Sequence, residues 1–259
     1  MDKHVLVTDI DNTMIKNPDD LYVVKPWVEK LVALGFTLVF NTAKTIDELL
    51  YILETLELDL DKVILIPENG GAVCSSRYPV PGLPLYEYNG LNCSVLSLIT
   101  PEIDALLDHS VKLCESARRI SKASTAELAS ILNLPSHLAR LAGHRLFNDA
   151  IYVGDEECIT LLEGFLTGKG LSTVRHGSLI YAGISISKKK ALEALLKTPW
   201  FKYSVLIGIG DSVIDDFLEL TSHPIIVGYN GGWLRKWHTR IPYEPPYGWI
   251  WSIEKSLLI

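Results

Sequence analysis

Asp9 and Asp11 stand one residue apart at the end of an apolar run, in the order Val5-Leu6-Val7-Thr8-Asp9-Ile10-Asp11-Asn12-Thr13. In extended chain, residues two apart face the same side. One carboxylate can then attack an electrophile while the other handles a proton, or both can face one divalent cation. An Asx-rich turn would use the same residue types with no chemistry at all. A second acidic cluster tips the balance. The apolar segment 204–207 runs into Gly208-Ile209-Gly210-Asp211-Ser212-Val213-Ile214-Asp215-Asp216. Carboxylates at a strand end suit Mg²⁺, a hard cation that takes oxygen ligands and keeps waters. The glycines allow close backbone approach, and Asp211 or Ser212 is expected to cap a following helix. The absence of G-x-G-x-x-G argues against a dinucleotide site. Thr42 and Lys188 complete the set, because a hydroxyl and an ammonium can each bind a phosphoryl oxygen. Thr42 could equally be a helix N-cap, and Lys189 and Lys190 are assigned to solvated surface.

These residues need strand ends to hold them. Short apolar runs at 4–8, 37–40, 63–66, 204–207 and 224–227 alternate with amphipathic stretches at 26–34, 46–56 and 188–196, and Gly35 is placed to close the first helix. Such alternation implies βαβ crossovers and an α/β, doubly wound (Rossmann-like) parallel sheet, whose ligands bind at the carboxyl ends of the strands. The middle is richer in helix, at 101–116, 125–132 and 135–145, and Tyr78-Pro-Val-Pro-Gly-Leu-Pro84 reads as a linker into it. The expected organisation is a core of residues 1–84 and 176–259 with an inserted α/β cap domain at 85–175, and the chain returns near Gly183.

The chain has 259 residues, 48% of them hydrophobic and 21% charged, which is the composition of a folded globular protein. With 24 Lys+Arg against 31 Asp+Glu the net charge is −7, which argues against nucleic acid as a partner. No stretch has the ~18 apolar residues of a membrane span, and residues 1–3 run straight into the first strand with no leader-like segment, so a cytoplasmic protein is expected. Cys74, Cys93, Cys114 and Cys158 form no C-x-x-C pair and are expected to be free thiols in a reducing compartment. The absence of glutamine and the two methionines hint at thermal selection.

The order Asp-x-Asp-x-Thr, then Thr, then Lys, then Gly-Asp-Ser-x₂-Asp resembles the four motifs of the haloacid dehalogenase-like (HAD) phosphohydrolases, over nearly the whole chain. Residues 85–175 match the cap that one subclass carries between its second and third motifs. A narrower likeness is to the mannosyl-3-phosphoglycerate phosphatases. It rests on Asn41-Thr42-Ala43-Lys44-Thr45, on Glu68-Asn69-Gly70-Gly71-Ala72, on the stretch 124–147 and on Pro245-Pro246-Tyr247-Gly248-Trp249. Three positions depart from the usual pattern: Asn12 replaces a glycine, Lys188-Lys189-Lys190-Ala191 replaces Lys-Gly-x-Ala, and Ile214 replaces an asparagine.

The resemblance implies a Mg²⁺-dependent phosphatase acting on a small anionic sugar phosphate. In it Asp9 is the nucleophile, Asp11 the general acid and base, and Thr42 and Lys188 hold the phosphoryl oxygens. Asp9, the Asp11 carbonyl and Asp211 would hold the metal, with Asp215 in the same cluster. A mannosylglycerate phosphate carries a carboxylate besides its phosphate. Lys44, His144 and Arg145, with Arg175 behind them, are the candidates to meet it, and Asn69 and Gly70 join the substrate-binding set. A phosphomutase, a phosphatase for sucrose phosphate or phosphoglycolate, and a phospho-acceptor module use similar residues. The last is about half as long and would have no use for a cap.

Overall fold

The computed structural model describes residues 4–202, 204–228 and 238–257; of the stretch read above as leaderless, residues 1–3 lie outside them. The chain begins β1 (His4–Thr8), α1 (Asp20–Ala33), β2 (Thr37–Asn41), α2 (Ile46–Leu56), β3 (Val63–Ile66), β4 (Ala72–Ser75), β5 (Leu85–Tyr88) and β6 (Leu91–Val95). It continues through α3 (Pro101–Ser110), β7 (Arg118–Arg119), α4 (Thr125–Leu132), α5 (Ser136–Gly143), β8 (Asp149–Tyr152) and α6 (Glu156–Gly168). The last part holds β9 (Ser172–His176), β10 (Leu179–Gly183), α7 (Lys188–Leu196), β11 (Val205–Gly210), β12 (His223–Val227), β13 (Thr239–Ile241) and α8 (Tyr247–Ser256).

Among the described residues the larger sheet has the order β13-β12-β11-β1-β2-β3-β4-β6-β5. The pairs from β13 to β3 are parallel. Those from β3 to β5 are antiparallel, so the sheet is mixed rather than wholly parallel as expected. Its central strands are apolar throughout because both faces are covered. Leu6, Leu38 and Phe40 pack with α1, α2 and α8, while Val5, Val7 and Val39 pack with α7. Local signals fix the helix starts. A capping box between Thr45 and Glu48 opens α2, and the Ser187 side chain caps α7. Gly35, at φ 83°, closes α1 in the left-handed conformation.

The smaller sheet, β7-β8-β10-β9, is antiparallel. One face packs against α3 and α6, and the other meets α4 and α5 and looks toward Ala43 of the larger body. Sheet membership moves the joints away from the expected boundaries. β5 and β6 belong to the larger sheet, since their hairpin continues the antiparallel extension begun by β4, while β9 and β10 belong together in the smaller one. The inserted body therefore runs from α3 to β10.

The cysteines also differ from expectation. Cys74 is bonded to Cys93, and Cys114 to Cys158. The first pair lies directly opposite across β4 and β6, and the second ties the turn after α3 to α6. Strand register and helix packing create both proximities, which residue spacing alone does not reveal. The thiols therefore lend no support to a reducing compartment. The bridges close intervals of 19 and 44 residues. Loop-closure entropy assigns such intervals about 3 and about 4 kcal/mol. A Cys114→Ser/Cys158→Ser protein should lose about 2–4 kcal/mol, with Tm falling about 2–4 °C per kcal/mol. Thermal and denaturant unfolding of the oxidised and doubly substituted proteins check this, and coincident curves would contradict it. Among the described residues, no helix is long and apolar enough to cross a membrane.

Candidate active site

The strand ends β1, β2 and β11 and the first turn of α7 meet beneath the inserted body, around a cleft of about 340 Å³. Asp9, Asp11, Thr42, Lys44, Arg145, Lys188 and Asp211 all line it. The volume falls in the range of small-molecule sites. Asp9 sits just past β1, its backbone N–H held by the Ile209 carbonyl of β11 at 3.0 Å. Thr8, one residue earlier, accepts the indole N–H of the buried Trp249 at 3.0 Å, which fastens the end of β1 to α8. Gly248 lets the chain turn closely into that helix, because a Cβ there would collide with the Tyr243 carbonyl. Trp249 thus fixes the strand end that Asp9 follows.

Lys188 Nζ lies 2.9 Å from Asp9 Oδ1 and 2.7 Å from Asp215 Oδ1, with all three side chains buried. The Asn41 amide donates to the Lys188 carbonyl, which steadies the start of α7. Burial works against the Lys188 ammonium, but Asp215 and Asp9 overcome it and hold it above the usual lysine range. Burial pushes Asp9 up to about 8; Lys188 opposes the rise, and Asp215, Asp211 and Asp11 add to it. Asp211 is raised to about 6 by burial and by Asp215, with the Thr13 hydroxyl opposing. That hydroxyl donates to Asp211 Oδ1 at 2.8 Å, a contact not assigned from the motif.

One carboxylate oxygen each from Asp9, Asp211 and Asp215 lies within 4.8 Å of the others. Such crowding of like charge is relieved by protons or by a cation. Asp9 Oδ1 is buried and receives no directed hydrogen bond, its contact with Lys188 being off the hydrogen-bonding axis. An oxygen donor set with one such atom fits a hard divalent cation. Asp215 fits less well than expected. Its Oδ2 accepts the backbone N–H groups of Asp211 and Ser212, and its Oδ1 takes the Lys188 ammonium, so its carboxylate shapes the loop. Neither Asp211 nor Ser212 caps a helix here; the turn after β11 opens a 3₁₀ segment, Asp216–Leu220, instead.

β1 ends at Thr8, and the half-exposed Asp11 lines the same cleft as Asp9 and meets Lys44 Nζ at 2.9 Å, ahead of the left-handed Asn12 (φ 58°). Lys44 also reaches Glu48 Oε1 at 3.3 Å. Burial opposes the Lys44 charge, but Asp11 and Glu48 outweigh it and raise its pKa. Thr42 is buried, and its backbone bridges Ile66 of β3 and Asn69. The N-cap of α2 is Thr45 instead.

Arg145 reaches the cleft from the inserted body, with Tyr181 beneath its guanidinium at 5.2 Å from the ring centroid. Four other substrate candidates are not brought there. Arg175 makes a bidentate pair with Glu156 of α6. It sits opposite Ile180, on the sheet face that α6 covers, because neighbouring residues of β9 face opposite ways. His176, next along, lines the cleft, as do Leu179 and Tyr181 of β10. Recognising β9 and β10 as an inward-facing hairpin would have found them. His144 is half exposed and pairs with Asp47 and Tyr88 outside the cleft. Asn69 and Gly70 are buried behind it. Gly70 has φ 84°, and a Cβ there would collide with the Ser187 carbonyl, so it seats β3 against the cap of α7. The adjacent Glu68 carboxylate accepts the N–H groups of Leu146, Phe147 and Asn148, which joins the two bodies.

No family model matches the chain. Mannosyl-3-phosphoglycerate phosphatase of Aeropyrum pernix is 29% identical over 259 residues, spanning 96% of this chain and 93% of that protein. The enzyme of the same name from Pyrococcus furiosus is 32% identical over 197 residues, 74% of this chain and 76% of that protein. The chain belongs to the mannosyl-3-phosphoglycerate phosphatase family. It is accordingly a phosphoric monoester hydrolase, and its doubly wound core with an inserted cap has the fold of haloacid dehalogenase-like hydrolases. A haloacid dehalogenase-like hydrolase from Bacteroides thetaiotaomicron superposes with a TM-score of 0.71 at 14% identity, covering 98% of this chain and 99% of that one.

Proposed function

We propose that this phosphatase hydrolyses mannosyl-3-phosphoglycerate to mannosylglycerate and phosphate through an aspartyl phosphate on Asp9. The observation that carries the reading is the placement of Asp9, buried against Lys188 in a cleft that Lys44 and Arg145 also line. The names of the two relatives supply the substrate class.

An Asp9 oxygen forms the new bond to phosphorus while the bond to the leaving oxygen breaks, and the Asp11 carboxyl gives that oxygen its proton. Asp11 then takes a proton from the water that opens the acyl phosphate, which frees phosphate and restores Asp9. Thr42 and Lys188 hold the non-bridging oxygens. The carboxylates of Asp9 and Asp211 and the Asp11 carbonyl would hold Mg²⁺. When bound, the cation lowers the repulsion between carboxylate and phosphate, about 4 kcal/mol per charge pair at ~4 Å and an effective ε near 20. The inserted body serves as the selector, presenting Arg145, His176 and Tyr181 to the sugar and glycerate ends.

A phosphate-release screen over mannosyl-3-phosphoglycerate, sucrose phosphate and phosphoglycolate tests this. The first should exceed the others in kcat/KM by at least about tenfold, the equivalent of about 1.4 kcal/mol. EDTA should abolish release and Mg²⁺ restore it. A different preferred ester, or full activity in EDTA, would overturn the reading.

A further inference from the structure

Among the described residues, the Asp11 carboxylate has one partner, the Lys44 ammonium at 2.9 Å. Asp11 is half exposed, whereas Lys44 and Glu48 are largely enclosed. Glu48 is held more firmly than Asp11. Its Oε2 accepts the Thr45 backbone N–H at 2.9 Å while its Oε1 faces Lys44. Thr45 in turn donates its hydroxyl to the Leu141 carbonyl of α5 at 3.0 Å, so the anchored side of this arrangement is continuous with the inserted body. Lys44 therefore stands between a fixed carboxylate and a movable one, at the edge of the cleft.

A substrate with a carboxylate on its leaving group brings a third anion to one ammonium. Three carboxylates around a single positive charge repel one another, and the one without other support is displaced. That one is Asp11. We propose that Lys44 is a positioning residue that couples recognition of an anionic leaving group to deployment of Asp11: the incoming carboxylate takes over the Lys44 ammonium, and the released Asp11 side chain turns to the ester oxygen. The proposal rests on Asp11 being the acid of the proposed reaction. It makes the substrate's own charge the trigger, so an ester lacking that charge is bound with Asp11 still tethered. Selectivity then appears in the rate of ester cleavage as well as in binding.

Cleavage is measured in a single turnover, at saturation, for mannosyl-3-phosphoglycerate and for its carboxamide analogue. The wild-type protein should cleave the carboxylate ester at least about tenfold faster. In Lys44→Met the ratio should fall to about one, because Asp11 is then untethered whichever ester is bound. Equal saturating rates in the wild-type protein, with any difference confined to KM, would overturn the proposal without need of a variant. An unchanged ratio in Lys44→Met would do the same. Asp11→Asn separates the two levels. If it cleaves both esters at wild-type rates, the acid role fails and the coupling fails with it. If it is inactive on both while the ratio persists in Lys44→Met, the coupling alone fails.

Discussion

Asp9→Asn should bind the phosphate ester and leave it intact, with kcat reduced on the order of 10⁴-fold or more, as expected when a nucleophile is removed from a site whose other groups act with it. Asparagine has the same shape but cannot form the acyl phosphate. Lys188 keeps Asp215 as its partner at 2.7 Å, so the surroundings survive the change. Phosphate release and equilibrium binding of the ester on the same preparation check both halves, and near-wild-type release would refute the assignment. A stability signature accompanies the kinetic one. The folded pKa of Asp9 is about 8, well above that of an unfolded aspartate. The metal-free fold therefore prefers the protonated carboxyl, and its stability falls as pH rises from about 4 toward 8, because the unfolded chain ionises first. The substitution removes that fall. The Tm gained by Asp9→Asn in EDTA should be larger at pH 8 than at pH 5, and an equal gain at both would count against the burial argument.

Lys188→Met should be damaging in both stability and rate. The ammonium lies between the buried carboxyl groups of Asp9 and Asp215, and removal of one partner from a buried ion pair typically costs about 3–5 kcal/mol, because here it strands the Asp215 charge away from water. Loss of a preorganised donor to the transferring phosphoryl group costs a further 10²–10³-fold in kcat, roughly. Lys189 provides the internal comparison. It follows Lys188 in the chain but pairs with Glu219 at the surface, where such pairs contribute about 0–1 kcal/mol. Denaturant unfolding and phosphate release for the two methionine variants side by side give the test. Similar losses in both would mean that the order of the three lysines had been misassigned.

Much of this centre could be read from the sequence because its determinants are local. Thr45 and Glu48 form a capping box, and Ser187 caps a later helix, so α2 and α7 begin where their residues say they should. Asp9, Thr42, Lys188 and Asp211 follow apolar runs or open a helix, and doubly wound sheets put such positions at one edge. What the sequence hid depends on distant contacts. Whether Arg175 or His176 faces the cleft turns on the register of β9 against β10, where one step exchanges the two faces. The Cys74–Cys93 bond depends on β4 meeting β6 across an intervening hairpin. The pairing of Asp11 with Lys44 was hidden for a related reason: it joins the turn after β1 to the loop before α2, 33 residues on.

The strap from Trp249 to Thr8 joins residues 241 positions apart, and the Thr13–Asp211 bond spans 198. β1 finds its neighbour β2 early in the chain but waits for β11, which is made after the whole inserted body. During synthesis, then, the inserted body is complete while the larger sheet still lacks β11, β12 and β13 and has an open edge at β1. Non-local pairings of this kind fold slowly and leave strand edges exposed meanwhile. A C-terminally trimmed chain would keep every residue of the inserted body and lose the Trp249 bond that fastens the end of β1.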